Sequence, residues 1–253
     1  MALPFPRPPS LAPGLTISRC TPEDIPQMVS VYSAAFLPTR FVYWWPADLD
    51  VMRRWNEARF RLRFRDPTDQ QFKVVDDESG RIVAFARWTV PAKMKGLAEG
   101  FRTYEDCSQG GFDGPENQWM QNPPEGSKEE LYHEFFAGIK AMSKKWEADK
   151  KLALQLLCTD PAYQRRGLGA ALLQSVLAIA DAEGIPTYVE ALENAVPIYQ
   201  RYGFSAVDQI EYDLTKAGQE GKATIDIMLR VPPTSEQPTA QDWCQKMIPA
   251  RGT

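Results

Sequence analysis

The sequence predicts a mixed α/β fold, one central sheet covered by helices, and three observations predict it. Apolar residues alternate at the strand period in some segments and recur at three-to-four spacing in others. Along the chain these segments run as strand, helix, helix, strand pair, and then strands and helices in alternation. Third, the apolar run Leu152–Thr159 is closed by Asp160-Pro161 and leads through Gln164-Arg165-Arg166-Gly167-Leu168-Gly169-Ala170 into a helix-spaced segment, a strand–loop–helix unit.

In order, 15–20 alternates like a strand. Thr21-Pro22-Glu23-Asp24 supplies an N-cap, a proline and acids, opening a helix to Phe36 that buries Ile25, Met28, Val29, Tyr32 and Phe36. A second helix, apolar and basic, is predicted over 48–65. Strands over 71–76 and 81–90 flank Asp77-Glu78-Ser79-Gly80 as a hairpin. Residues 91–127 break the pattern with Gly, Pro, Asn and Gln, yet hold Phe101, Tyr104, Phe112 and Trp119, which favour ordering through burial. A helix over 128–150 follows, with Leu131, Phe135, Ile139, Met142 and Trp146 on one face. Beyond the glycine loop and its helix come a strand over 187–190, a short helix over 194–202, and strands over 204–214 and 223–231. The expected organisation is a Pro-rich extension (1–14), one domain (15–231) with a loop-plus-helix insertion at about 91–150, and a Pro-rich tail (232–253).

At 253 residues the chain can bury a full core, and 43% hydrophobic with 25% charged residues is ordinary for a globular protein. A net charge of -4 argues against a nucleic-acid partner, which calls for a basic face. Cys20, Cys107, Cys158 and Cys244 are scattered, which disfavours a zinc site or disulfide framework and suits a reducing compartment. Prolines interrupt the start, and no apolar run approaches a membrane span, so the expectation is a cytoplasmic protein with no metal and no membrane partner. Nothing in the sequence fixes its oligomeric state.

The glycine loop is a natural anion cradle. The first N–H groups of a helix lack carbonyl partners, the helix dipole is positive there, and arginines add charge. A Walker loop would close with Lys-Ser or Lys-Thr, and a dinucleotide loop would carry a third glycine where Leu172 stands. The Gln-x-x-Gly-x-Gly pattern of Gln164–Gly169 instead resembles the acetyl-CoA pyrophosphate loop of the GNAT superfamily of N-acetyltransferases. Pro197-Ile198-Tyr199-Gln200-Arg201-Tyr202-Gly203-Phe204 is similar to the Leu-Tyr-x-x-x-Gly-Phe segment of the same family. The resemblance spans about 152–213.

It implies a mostly antiparallel central sheet flanked by helices and acetyl-CoA as co-substrate. Gln164, Arg165, Arg166, Gly167, Leu168, Gly169 and Ala170 would bind the pyrophosphate. Leu157, Cys158 and Thr159 would pair their backbone with the pantetheine arm, as an added strand does. A backbone N–H near Leu157 and Cys158 would hold the oxyanion, and Tyr199 would be the general acid, its phenol matched to a departing thiolate. The family often has an asparagine where this chain has Leu192, with Asn194 two residues on, so that contact is not carried over. Cys158 reads as a small buried hydrophobe rather than a ping-pong nucleophile. For the general base, Glu190 is the stronger carboxylate candidate, with the sole histidine, His133, and water as alternatives; Asp160 reads as a turn residue. The expected acceptor is a primary amine of a small molecule, placed under the insertion. A protein or peptide amine, or a non-catalytic acyl-CoA-binding role, are the other readings.

Overall fold

A computed structural model describes residues 2–98, 100–104 and 122–233. Twelve elements carry the fold: β1 (Leu15–Arg19), α1 (Ile25–Phe36), α2 (Leu49–Arg63), β2 (Asp69–Asp76), β3 (Arg81–Thr89), α3 (Glu129–Lys145), β4 (Leu152–Thr159), α4 (Leu168–Ala182), β5 (Thr187–Leu192), α5 (Val196–Arg201), β6 (Ser205–Asp213) and β7 (Lys222–Arg230). Local chemistry sets their ends. Asp24 accepts from the Thr21 backbone N–H at 2.7 Å ahead of α1, and Asp48 caps α2 through the N–H groups of Asp50 and Val51. The helix expected over 128–150 stops at Lys145, because Glu147 takes a left-handed φ of 48° and a separate short turn follows. Lys151, buried, donates to the carbonyls of Trp146 and Glu147 and so holds that break.

The strands form one sheet in the order β1-β2-β3-β4-β5-β7-β6. All neighbours are antiparallel except β4 and β5, which are parallel. One face carries α1, α2 and α3 over Phe85, Ala153, Cys158, Tyr188 and Ile227. The other carries α4 and α5 over Leu152, Leu154, Val189, Ala191 and Met228. In β4 the register slips between Arg87 opposite Leu156 and Trp88 opposite Leu154, so Gln155 is bulged. The bulge keeps Leu154 and Leu157 on the α4 face despite two intervening residues.

The extension and the insertion both dock. Phe5 and Leu11 are buried against the α4 face, and Phe5 lies 5.0 Å from the Phe72 ring. The insertion begins on that same face, where the Glu183 carboxylate at the end of α4 accepts the backbone N–H groups of Lys95 and Gly96. It then crosses to the other face, where Tyr104 N–H donates to the Phe64 carbonyl and α3 packs beside β6. Of its aromatics, Phe112 and Trp119 lie outside the described residues.

Candidate active site

β4 and β5 pair over only three residues each, Leu152–Leu154 against Thr187–Val189, and then part. On its other edge β4 stays bonded to β3 as far as Thr159 opposite Ala84. The β5-facing backbone groups beyond Leu154 are therefore left open, a strand edge without its strand. A cavity of about 870 Å³ fills the split; Leu154, Leu156, Leu157 and Thr159 line it from β4, and Val189, Glu190 and Leu192 from β5.

The glycine loop closes one end. Asp160 N–H donates to the Val83 carbonyl at 2.9 Å, and its side chain accepts from Ala162 N–H at 2.9 Å, turning the chain out of the sheet. Arg165 then adopts φ 63° and Gly167 φ 81°, and α4 begins at Leu168. Two positive-φ residues so close together turn the backbone sharply, and the loop runs straight into the N-terminal N–H groups of α4. From Arg165 to Ala170 these N–H groups have no hydrogen-bond acceptor among the described residues, the state an anion would satisfy.

The two arginines part company. Arg165 is exposed and lines the cavity. Arg166 turns back, donating to the Ala162 carbonyl at 3.1 Å with its guanidinium 4.8 Å from the Tyr163 ring centre, and does not line the cavity. Gln164 reaches the Thr159 carbonyl at 3.4 Å. Gly167 is required by its backbone angle. Gly169 is not required by space, since a methyl there would meet Leu157 and Ile198 at ordinary contact distances of 3.6 and 3.7 Å.

Tyr199, on α5, lines the cavity from the α4 face; it is 5% exposed and stacks edge-on with Phe204 at 5.6 Å. Burial pushes its phenol well above the ordinary tyrosine range, so it stays protonated. Glu190 enters from the opposite face, because along β5 Tyr188 and Leu192 point to the helical layer of α1–α3 and Val189 and Ala191 to that of α4. Its carboxyl is pushed up to about 7 by burial, against a hydrogen bond from the Tyr188 hydroxyl that pulls it down. Cys158 is 1% exposed, outside the cavity lining, and its thiol is pushed up to about 12 by burial. That is the reverse of an activated nucleophile. His133 stands on the outer side of α3, its side chain 47% exposed and 3.7 Å from Glu129. Asn194 does line the cavity. Ala35 and Phe36 at the end of α1, and Thr39 just beyond it, also line the split; Phe36 was legible only as a buried apolar residue, and all three reach the cavity only through the tertiary fold.

Among the described residues no group of three or more His, Cys, Asp and Glu could hold a metal ion, and no helix is long and apolar enough to cross a membrane. No curated protein matches the sequence. Residues 134–213 match the model of the GNAT acetyltransferase domain. A Corynebacterium glutamicum structure described as histone acetyltransferase HPA2 and related acetyltransferase is 20% identical, with 88% of this chain and 99% of that one covered at a TM-score of 0.53. The Escherichia coli ribosomal-protein-S18-alanine N-acetyltransferase is 16% identical, with 88% and 97% covered at 0.48. The Salmonella typhimurium acetyltransferase yncA, crystallised with its cofactor acetyl-CoA, is 16% identical, with 89% and 98% covered at 0.46. The matched span runs from α3 through β6 and contains both the glycine loop and the Tyr199–Phe204 segment, so residues 134–213 are similar to a GNAT acetyltransferase domain, and the sheet as a whole shares the fold of the Corynebacterium glutamicum structure.

Proposed function

We propose that the chain moves the acetyl group of acetyl-CoA directly onto the primary amine of a small molecule. The observation that carries this reading is a set of ties across the acceptor face. The connection between α1 and α2 is fastened to the β6–β7 end of the sheet: Arg40 donates to the Lys222 carbonyl at 3.1 Å, and Phe41 and Tyr43 pack on Tyr212 at 6.5 and 6.1 Å. The α3 helix locks both. Lys128, its N-cap, donates from its backbone to Trp44 and from its side chain to the Ala217 carbonyl at 2.7 Å, and Glu134 pairs with Lys216 at 2.9 Å. An extended peptide laid across this face would have to displace these ties. A compact amine needs only the split itself.

In this reading the donor's pyrophosphate rests on the N–H groups of Arg165–Ala170, with Gln164 and the Arg165 side chain at their rim. Arg166 acts by buttressing the turn through Ala162 and Tyr163. The pantetheine amides bond to the open edge of β4 at Leu157, Cys158 and Thr159, which sets the thioester between β4 and β5. Glu190 takes a proton from the acceptor's ammonium, and the neutral amine attacks the thioester carbonyl. The tetrahedral oxyanion accepts from a backbone N–H near Leu157 and Cys158. As the C–S bond breaks, Tyr199 gives its proton to the departing thiolate, and the proton that the new amide nitrogen sheds restores the phenol, while Glu190 releases its own to solvent.

Thiol release from acetyl-CoA across a panel of monoamines, polyamines, amino sugars and peptides tests the proposal. Turnover confined to small amines is the expected result. Faster turnover on peptides would overturn it, and tight CoA binding with no turnover on any amine would favour a binding protein.

A further inference from the structure

Resting on the reading of Glu190 as base, we infer that Tyr188 is a positioning residue for it, holding one carboxylate oxygen so that the other faces the incoming amine. The two residues are one strand period apart on β5, so both side chains project to the α1–α3 face side by side. Tyr188 is 2% exposed, and a phenol so buried needs a partner for its O–H. It finds one in Glu190 Oε1 at 2.8 Å. Among the described residues the Glu190 carboxylate has no other hydrogen-bond partner, and it borders the cavity, so Oε2 is left to the ligand side.

The hydrogen bond also decides the charge. Burial of Glu190 favours the neutral acid, which cannot accept a proton. Donation from Tyr188 favours the carboxylate, and the balance sits at about 7, where a useful share is ionised at neutral pH. Other titratable groups turned toward this region do not compete for that role. Tyr212 and Asp208 come from β6, Tyr43 from the α1–α2 connection and Glu134 from α3. Asp208 is held by Lys145 at 2.6 Å and Trp146 at 3.0 Å, Glu134 by Lys216, Tyr212 by the Phe135 carbonyl at 3.0 Å, and burial pushes Tyr43 well above the ordinary tyrosine range, so it stays a phenol. Tyr188 itself is pushed far above the ordinary tyrosine range by burial and by the nearby carboxylates, so it remains a donor throughout.

The pH profile of kcat/KM for Tyr188→Phe, compared with wild type and Glu190→Gln on one amine acceptor, tests the inference. Loss of the donor destabilises the carboxylate, so the rising limb is expected to move up by roughly half to one pH unit. Near neutrality kcat/KM is expected to fall by about two- to fivefold, while the KM for acetyl-CoA holds. A limb that stays in place in a folded Tyr188→Phe protein, with Glu190→Gln inactive, would overturn the role of Tyr188 alone. A Glu190→Gln protein with wild-type turnover and limb would instead remove the base assignment beneath it.

Discussion

Tyr199 and Glu190 stand on opposite faces of one sheet, at the point where β4 and β5 part. A twisted sheet ordinarily keeps its two faces apart. Here the parting makes a slot through it, so a group held in the slot can receive a proton from one face and have its attacker deprotonated from the other. Both pKa displacements suit this division: the buried phenol stays an acid, and the carboxyl is poised near neutrality.

Replacing Tyr199 by Phe removes one oxygen and leaves the ring against Phe204. The expected outcome is a fall in kcat of about a hundredfold or more, with the KM for acetyl-CoA changed by less than about twofold. Steady-state thiol release at saturating acetyl-CoA measures it. Wild-type kcat in this variant would remove Tyr199 from the proton path.

Glu190 links activity to stability with opposite signs. Its folded pKa is raised from 4.5 to about 7, so the native state prefers the protonated form. Stability is therefore fullest below the unfolded pKa and declines as pH rises toward about 7, remaining reduced above it. In the proposed mechanism activity needs the deprotonated form, so it rises as pH passes about 7. Glu190→Gln, which mimics the neutral acid, is expected to lose turnover yet melt at a higher temperature than wild type at pH 8. Thermal unfolding at a series of pH values should show that gap closing toward pH 5, and a constant gap would contradict the linkage.

Gly167 has φ 81° with nothing within 4 Å of an added Cβ, so any cost of substitution is conformational. A β-branched residue resists that region, whereas asparagine tolerates it. Gly167→Val is expected to weaken acetyl-CoA binding by roughly tenfold or more by tilting the N–H groups of the loop, and Gly167→Asn to bind close to wild type. Calorimetric titration with CoA checks both; equal affinities in the two variants would mean that the loop's shape does not set binding.

Most of the architecture was legible because its signals are local. Strand and helix periods, the Thr21-Pro22-Glu23-Asp24 helix start and the Asp160-Pro161 turn act within a few residues, and each lies where an element boundary falls. Tyr199, Glu190 and the Arg165–Ala170 loop could be picked out as candidates because motif order along the chain points to them, and Tyr199, Glu190 and Arg165 line one cavity. Other features depend on contacts far apart in sequence. The end of the α3 region reads as helix to Lys150 until Lys151 fixes the left-handed Glu147. The Gln155 bulge follows from pairing with β3, and nothing around Phe36 or Thr39 announces that they line the slot. Arg166 was indistinguishable from Arg165 until the Tyr163 ring and the Ala162 carbonyl separated them.

Gly138 tests whether the insertion is held by shape. Inside a helix, glycine to alanine is ordinarily favourable by about 1 kcal/mol. Here an added Cβ would lie 2.7 Å from the Tyr212 hydroxyl oxygen and 3.3 Å from Ile210. That hydroxyl cannot swing away freely, because it donates to the Phe135 carbonyl at 3.0 Å and its ring packs on Phe41, Tyr43 and Phe135. Overpacking of this kind costs roughly 1–3 kcal/mol, enough to cancel or reverse the helix gain. Gly138→Ala is expected to lower the melting temperature by about 2–4 °C, and Gly138→Ala with Tyr212→Phe to recover part of the loss. Because α3 ties the α1–α2 connection to the β6–β7 end, the single variant should also loosen the acceptor face and raise turnover on the poorer, bulkier amines relative to small ones. A melting temperature above wild type in the single variant would show that α3 and β6 yield at this contact and that the ion pair and the capping bonds, rather than close packing, hold the insertion down.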